Sequence, residues 1–399
     1  MNLFLLSFLL GLVCLVCSYK LKLELDDFIK LNLFSLLLIP FWNKKNLKKN
    51  KSEARILLFF LAFGCTGAIF TKEFNFLIYG GFLCIWCLVF LGFSRHQATT
   101  NGHELFFWFL LLLVCTEILL VSFFGVQTLN EIFGIYRDYN QPSLVFGRLL
   151  NTDINVPNGF YFSPTFLGVI FGNFVLYYIF FVSSLFKKII GIVASSLFYF
   201  GSLTGTSCLT FLLGLILCLI LQKKFFKPLI MVSIILIAGS SIFKNNWERI
   251  TSDKSIKGDL DLLQASDEVW VKLSQNHTVA EKYLYRFADP FFLFCQQTLI
   301  SKIFGIKIEG KNLTQTGIGE CFFGKMLLVM GGLLFLFFWL VFFLPLIFRE
   351  GVAPIQKYYR IAFICLVFSA IHYGHIFFVP AGAALAAAYF VYGLKETPN

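Results

Sequence analysis

Three arginines set the chemistry to look for. Arg148 opens the stretch "GRLLNTDINVPNGFYFSPTFLG" (147–168), Arg249 stands in "NNWER", and Arg286 stands in "EKYLYRFADP". A guanidinium is planar and donates two parallel hydrogen bonds, which suits phosphate oxygens. The same three side chains also serve as ordinary surface or headgroup contacts. "HYGH" puts His372 and His375 three residues apart, on one face if the segment is helical. That pair is either a polar helix end or one wall of a cavity, and zinc would need a third ligand that the sequence does not supply. Asp259 and Asp261 in "DLD" make no metal set by themselves, so no metal site is expected. A phosphate-binding Gly-rich loop, a dinucleotide fingerprint and an HExxH zinc motif are all missing from the sequence, so no cofactor is expected either.

The elements that must position these residues are apolar. The chain has 399 residues, 58% of them hydrophobic and 14% charged, with a mean hydropathy of +0.78. A soluble core cannot hide that much apolar surface, and many of the runs approach the ~20 residues that a bilayer requires of a helix. The expected fold is therefore all-α: a polytopic integral membrane protein of about 12 transmembrane helices, forming a single membrane domain over 1–399. The apolar runs fall near 2–18, 27–42, 54–71, 75–94, 104–125, 161–185, 189–204, 207–221, 228–243, 324–348, 359–373 and 376–393. The first run lacks a basic leader and a small-residue cleavage site, and reads as an uncleaved span. Most of the 11 cysteines sit in apolar runs, where a thiol behaves as a small hydrophobe. Cys295 and Cys321 lie in the long polar region, where the sequence leaves their pairing open. Glu117 is the lone acid well inside a run, so it should face the bundle interior or water.

Basic residues orient the bundle. One set of connections holds six Lys and Arg in 43–55, then Arg95, Lys187, Lys188, Lys223, Lys224, Lys227, Arg349, Lys357, Arg360 and Lys395, sixteen in all. The opposite connections hold five: Lys20, Lys22, Lys72, Arg137 and Arg148. The richer side is expected to be cytoplasmic, with both termini there. The net charge of +11 thus reflects topology; no basic stripe interleaved with aromatics points to nucleic acid. Two outside loops are long, about 126–160 and about 244–323. The second carries ten basic and ten acidic residues, and is expected to fold as a helical periplasmic cap. Within it, "DPFFLFCQQTLISKIFG" (289–305) opens with Pro after Asp and ends on Gly. It is too short to span and fits an interfacial or re-entrant helix.

Four segments resemble the O-antigen (oligosaccharide repeat unit) polymerases and their relatives, the O-antigen ligases. Arg148 followed by ten residues and Gly159 is similar to an Arg-x10-Gly pattern of such polymerases. "GFYFSPTFLGVIFG" resembles their G-x-F-x-x-P-N-x-x-G lead into a span, with Thr165 in place of Asn. "LTGTSCLTFLLGLIL" (203–217) resembles their T-G-S-R turn and span, with Thr206-Ser207-Cys208 where Arg is common. "GIGECFFGKMLLVMGGLLFLFFWL" resembles the segment that leaves the large loop. The large loop itself departs from the pattern: ten residues after Arg249 comes Leu260, and after Arg286 comes Gln297.

The resemblance implies a glycosyltransferase of the bacterial inner membrane, acting at its periplasmic face on undecaprenyl-pyrophosphate-linked oligosaccharides. The leaving group is already a lipid pyrophosphate, so the transfer is metal-independent. Arg148 and Arg286 would stabilise charge developing on the pyrophosphate, with Arg249 binding substrate. Glu320, Asp153 and His372 are candidate bases for the acceptor hydroxyl. Asn151 and Asn158, with Gly159 closing the loop, would hold sugar hydroxyls. Membrane lipid, a chain-length regulator and a flippase are the further partners that the resemblance implies. An O-antigen ligase, which moves the glycan to lipid A–core, shares this donor and layout. A lipid-linked oligosaccharide flippase is a more distant alternative; it should carry charges along its spans and short outside loops.

Overall fold

The computed structural model describes residues 2–21, 31–41, 43, 50–71, 77, 79–93, 100–133, 164–202, 205–222, 230, 232–233, 294–306, 322–348, 353–371 and 375–394. All regular structure among these residues is helical. In chain order the helices are α1 (Leu3–Leu21), α2 (Lys51–Thr71), α3 (Gly81–Phe93), α4 (Thr100–Phe133), α5 (Pro164–Phe180), α6 (Leu185–Gly201), α7 (Gly205–Gln222), α8 (Leu299–Phe304), α9 (Phe322–Phe348), α10 (Pro354–Ser369), α11 (His375–Phe378) and α12 (Pro380–Leu394); a 3₁₀ segment covers Phe34–Phe41. By length and composition alone, the runs Lys51–Ile69 and Phe322–Leu346 would suffice to cross a membrane, although the second is interrupted at Gly331. Shorter apolar stretches lie in α1, α3, α4, α5, α7 and α12.

Two helices form the centre. From Phe166 to Ile179 every residue of α5 is buried, because α6, α7 and α10 surround it. Every residue of α12 is buried between α1, α3 and α10. Its sequence "PAGAALAAAYFVYGL" explains the fit: short side chains let neighbouring backbones approach closely. Elsewhere the excess of Phe fills the interior, as in the Phe60, Phe337, Phe338 and Phe342 cluster between α2 and α9.

The bundle has two distinct ends. At the first, which we term the tyrosine end, the start of α1 meets the end of α12 through Leu3 N–H donating to the Tyr392 hydroxyl at 3.1 Å. Arg360, in the second turn of α10, donates from Nε to the Gly393 carbonyl (2.9 Å) and from Nη1 to the Leu346 carbonyl (2.6 Å). One buried guanidinium thus satisfies carbonyls near the ends of both α9 and α12, groups that a helix leaves without internal partners.

At the opposite end α9 folds back on itself. Gly331 has φ 72° and ψ 163°, a region only glycine enters freely, and it separates a first limb (322–330) from a second (332–348). Phe323 and Trp339 stack edge-on with ring centroids 5.1 Å apart, and Phe377 touches both Phe322 (5.0 Å) and Phe338 (5.7 Å). In a straight helix residues sixteen apart would be separated by about 24 Å. The apolar run expected as one span at 324–348 is therefore a helical hairpin. Its second limb, about 25 Å long at 1.5 Å per residue, is the part that can run the bundle's depth.

Candidate functional site

The residues assigned chemistry from the sequence, Arg148, Asn151, Asp153, Asn158, Gly159, Arg249, Arg286, Glu320 and His372, all lie outside the described residues, as does Cys321. The Glu117 and His375 side chains do too, although both backbones are helical. Cys295 is an exposed free thiol. The helices to which these segments attach are described, and their contacts are specific.

Residues 134–163, which carry Arg148 and Gly159, join the end of α4 to the start of α5. Pro164 supplies the first residue of α5, where its missing N–H costs nothing. One turn later Gly168 lies against the turn between α6 and α7. A Cβ there would sit 2.7 Å from the Ser202 carbonyl oxygen and 3.1 Å from Ser207 Cβ. The two motif segments, "GFYFSPTFLG" and "LTGTSCLTF", are thus in direct contact through a glycine. At the far side of the same end, Phe322 stacks at 4.9 Å on Tyr79 and at 5.0 Å on Phe377. In sequence Phe322 follows Glu320 by two residues, and Phe377 follows His372 by five. Phe322, the described residue nearest in sequence to that acid, and Phe377, on the C-terminal side of that imidazole, thus have adjoining rings.

The hairpin tip is held by a second glycine. Gly305, at φ 86° and ψ 176°, ends α8 and faces Gly331. A Cβ on Gly305 would collide with the Val329 carbonyl, and one on Gly331 with the Ile303 carbonyl. Ile306 N–H donates to the Leu328 carbonyl at 2.8 Å, and Phe294 covers Gly332. Thr298 caps α8 by accepting from Ser301 N–H. Of the segment 289–305, read from sequence as an interfacial or re-entrant helix, Leu299–Phe304 is helical as α8 and packs on α9 and α2, while Pro290 lies outside the described residues.

A polar cluster occupies the tyrosine end. His103 is fully buried near the start of α4, with Nε2 2.8 Å from the Tyr389 hydroxyl and 3.4 Å from that of Tyr358. Tyr358 donates in turn to the Asn173 carbonyl at 3.2 Å. Phe4, Phe174 and Tyr177 wall the imidazole, with ring centroids 4.7–5.0 Å away. Nδ1 of His103 has no hydrogen-bond partner among the described residues. A proton on Nε2 therefore leaves only a lone pair unmatched, the less costly of the two tautomers. Beside it Glu104 pairs with Lys187 at 2.9 Å and accepts a 3.4 Å bond from Tyr177. The arrangement ties α1, α4, α5, α6, α10 and α12 together, as a lock of helix ends.

The apolar run expected at 104–125 begins directly after His103. The imidazole's partners Tyr177, Tyr358, Tyr359 and Tyr389 stand in the sequence within Tyr177-Tyr178, Tyr358-Tyr359 and the i,i+3 pair Tyr389/Tyr392. Paired tyrosines within or beside apolar runs were the available signal. The described residues contain no group of three or more His, Cys, Asp or Glu that could hold a metal ion. No protein-family model, curated protein or solved structure matches the chain.

Proposed function

We propose that the chain is a multi-pass helical protein of the bacterial inner membrane that polymerises undecaprenyl-pyrophosphate-linked oligosaccharide repeat units. In this reading the tyrosine end faces the cytoplasm and the hairpin end faces the periplasm. The start of α1 and the end of α12 meet at the tyrosine end, with Leu3 bonded to Tyr392, and Lys187 and Arg360 lie there as well. That agrees with basic residues marking the cytoplasmic side. The observation that carries the reading is the meeting of α5 and the α6–α7 turn at Gly168. It joins the segment after Arg148 and Gly159 to the "TGTS" turn, two pieces of sequence resembling the polymerase family.

The chemistry follows from the residues. Arg148 and Arg286 stabilise the departing lipid pyrophosphate, and losing one such donor costs about 10²–10³ in rate. Arg249 binds the second lipid-linked unit, Asn151 and Asn158 hold sugar hydroxyls, and Glu320, Asp153 or His372 accepts the attacking hydroxyl's proton. A deletion strain tests the reaction class on a glycan gel. Loss of a polymerase leaves lipid A–core bearing one repeat. Core alone with accumulated lipid-linked polymer marks a ligase, and single units trapped inside mark a flippase; either would overturn the proposal.

A further inference from the structure

The loop segment bound to the hairpin is apolar on its outer side. Twenty of the 80 residues in 244–323 are charged, yet the twelve from Pro290 to Ser301 carry no charge, and Lys302 is the first to follow. Leu299 and Ile300 are 74% and 72% exposed, on the side of α8 away from α9. Their surroundings continue the same surface: Leu333 and Leu336 on the second limb of α9 are exposed, as is Ile69 near the end of α2, the other helix that α8 packs against. Two large aliphatic side chains on a water-facing loop tip would be costly, whereas beside a lipid-facing helix they extend its apolar face.

Broken backbone survives at membrane depth only where protein covers it. Here each break covers the other. Gly305 and Gly331 are both buried, Gly305 N–H donates to the Ser301 carbonyl at 2.9 Å, and Ile306 N–H reaches Leu328. The helical turns of α8 satisfy their own backbone, and the Lys302 stem is long enough to carry its ammonium back to the interface.

Resting on the membrane reading above, we propose that residues 294–306 dip into the outer leaflet, with Leu299 and Ile300 in contact with lipid acyl chains. The Gly305–Gly331 contact pins that segment to α9. The test uses the full chain in vesicles of phosphatidylethanolamine and phosphatidylglycerol. A nitroxide is attached through a genetically encoded non-cysteine handle at position 299, 300 or 336, or at Ser52 as the aqueous reference. Oxygen, which concentrates in lipid, should relax the labels at 299, 300 and 336 several-fold more than a water-soluble nickel chelate does, with the order reversed at 52. Relaxation by nickel at 299 and 300 while 336 stays oxygen-dominated would overturn this proposal alone. Low accessibility to both reagents at 299 and 300 would mean that protein covers them, and would overturn it equally. Nickel access at 336 would remove the membrane reading itself.

Discussion

Gly331→Ala should open the hairpin tip. At φ 72° and ψ 163° a side chain strains the backbone by about 1–3 kcal/mol. The added methyl would also meet the Ile303 carbonyl, whose carbon lies 2.5 Å from the ideal Cβ position. A backbone carbonyl cannot rotate aside as a side chain can, so α8 must withdraw. The Ile306–Leu328 hydrogen bond, about 0.5–1.5 kcal/mol, goes with it. Together the loss is about 1.5–4.5 kcal/mol. Gly305→Ala breaks the same contact from the other side. The double variant should therefore cost clearly less than the sum of the singles, with a coupling of about 1–3 kcal/mol. Gly67→Ala is the contrast: it is helical with nothing within 4 Å of its Cβ position, so Ala should stabilise by about 0.5–1 kcal/mol. Unfolding of the purified protein in detergent, by heat or denaturant, reads all four variants. If Gly331→Ala behaves like Gly67→Ala, or Gly305→Ala and Gly331→Ala add, the broken helix is wrong.

The fold-back of α9 can also be caught chemically. Cysteines replacing Phe323 and Trp339 should be joined by a short bifunctional thiol reagent, since the native rings are 5.1 Å apart; peptide mass spectrometry finds the link, and a straight helix would forbid it. Arg360→Ala should cost about 3–6 kcal/mol, because two hydrogen bonds from a charged group to helix-end carbonyls disappear. Arg360→Lys should recover less than half of that, as an ammonium has no fork; a loss under about 1 kcal/mol for Arg360→Ala would show that it clamps nothing. Glu104→Gln, in contrast, should cost at most about 1 kcal/mol in the same melts, since Lys187 is 57% exposed and the pair is screened by water.

Helix positions were largely legible because apolar runs need little context. The runs expected at 54–71, 161–185 and 207–221 are helical over Lys51–Thr71, Pro164–Phe180 and Gly205–Gln222. The run at 104–125 extends to Thr100–Phe133, since the polar start "TNGHE" continues the helix and buries His103 among tyrosines. The tertiary contacts that make this first turn core are absent from any local window. The 324–348 run misled for a related reason. "VMGGLL" is compatible with an unbroken helix, and only the approach of Gly305, twenty-six residues upstream, makes Gly331 a bend. The arginine assignments rest on sequence alone, as none of those residues is among the described ones.

The central claim is best tested with purified protein in proteoliposomes, given only undecaprenyl-pyrophosphate-linked repeat units and a metal chelator. The products should form a ladder of lengthening glycans with release of undecaprenyl pyrophosphate, and Arg148→Ala should slow the ladder about 10²–10³-fold. Repeat units recovered unextended by the wild-type protein, or a ladder indifferent to Arg148→Ala, would contradict the account.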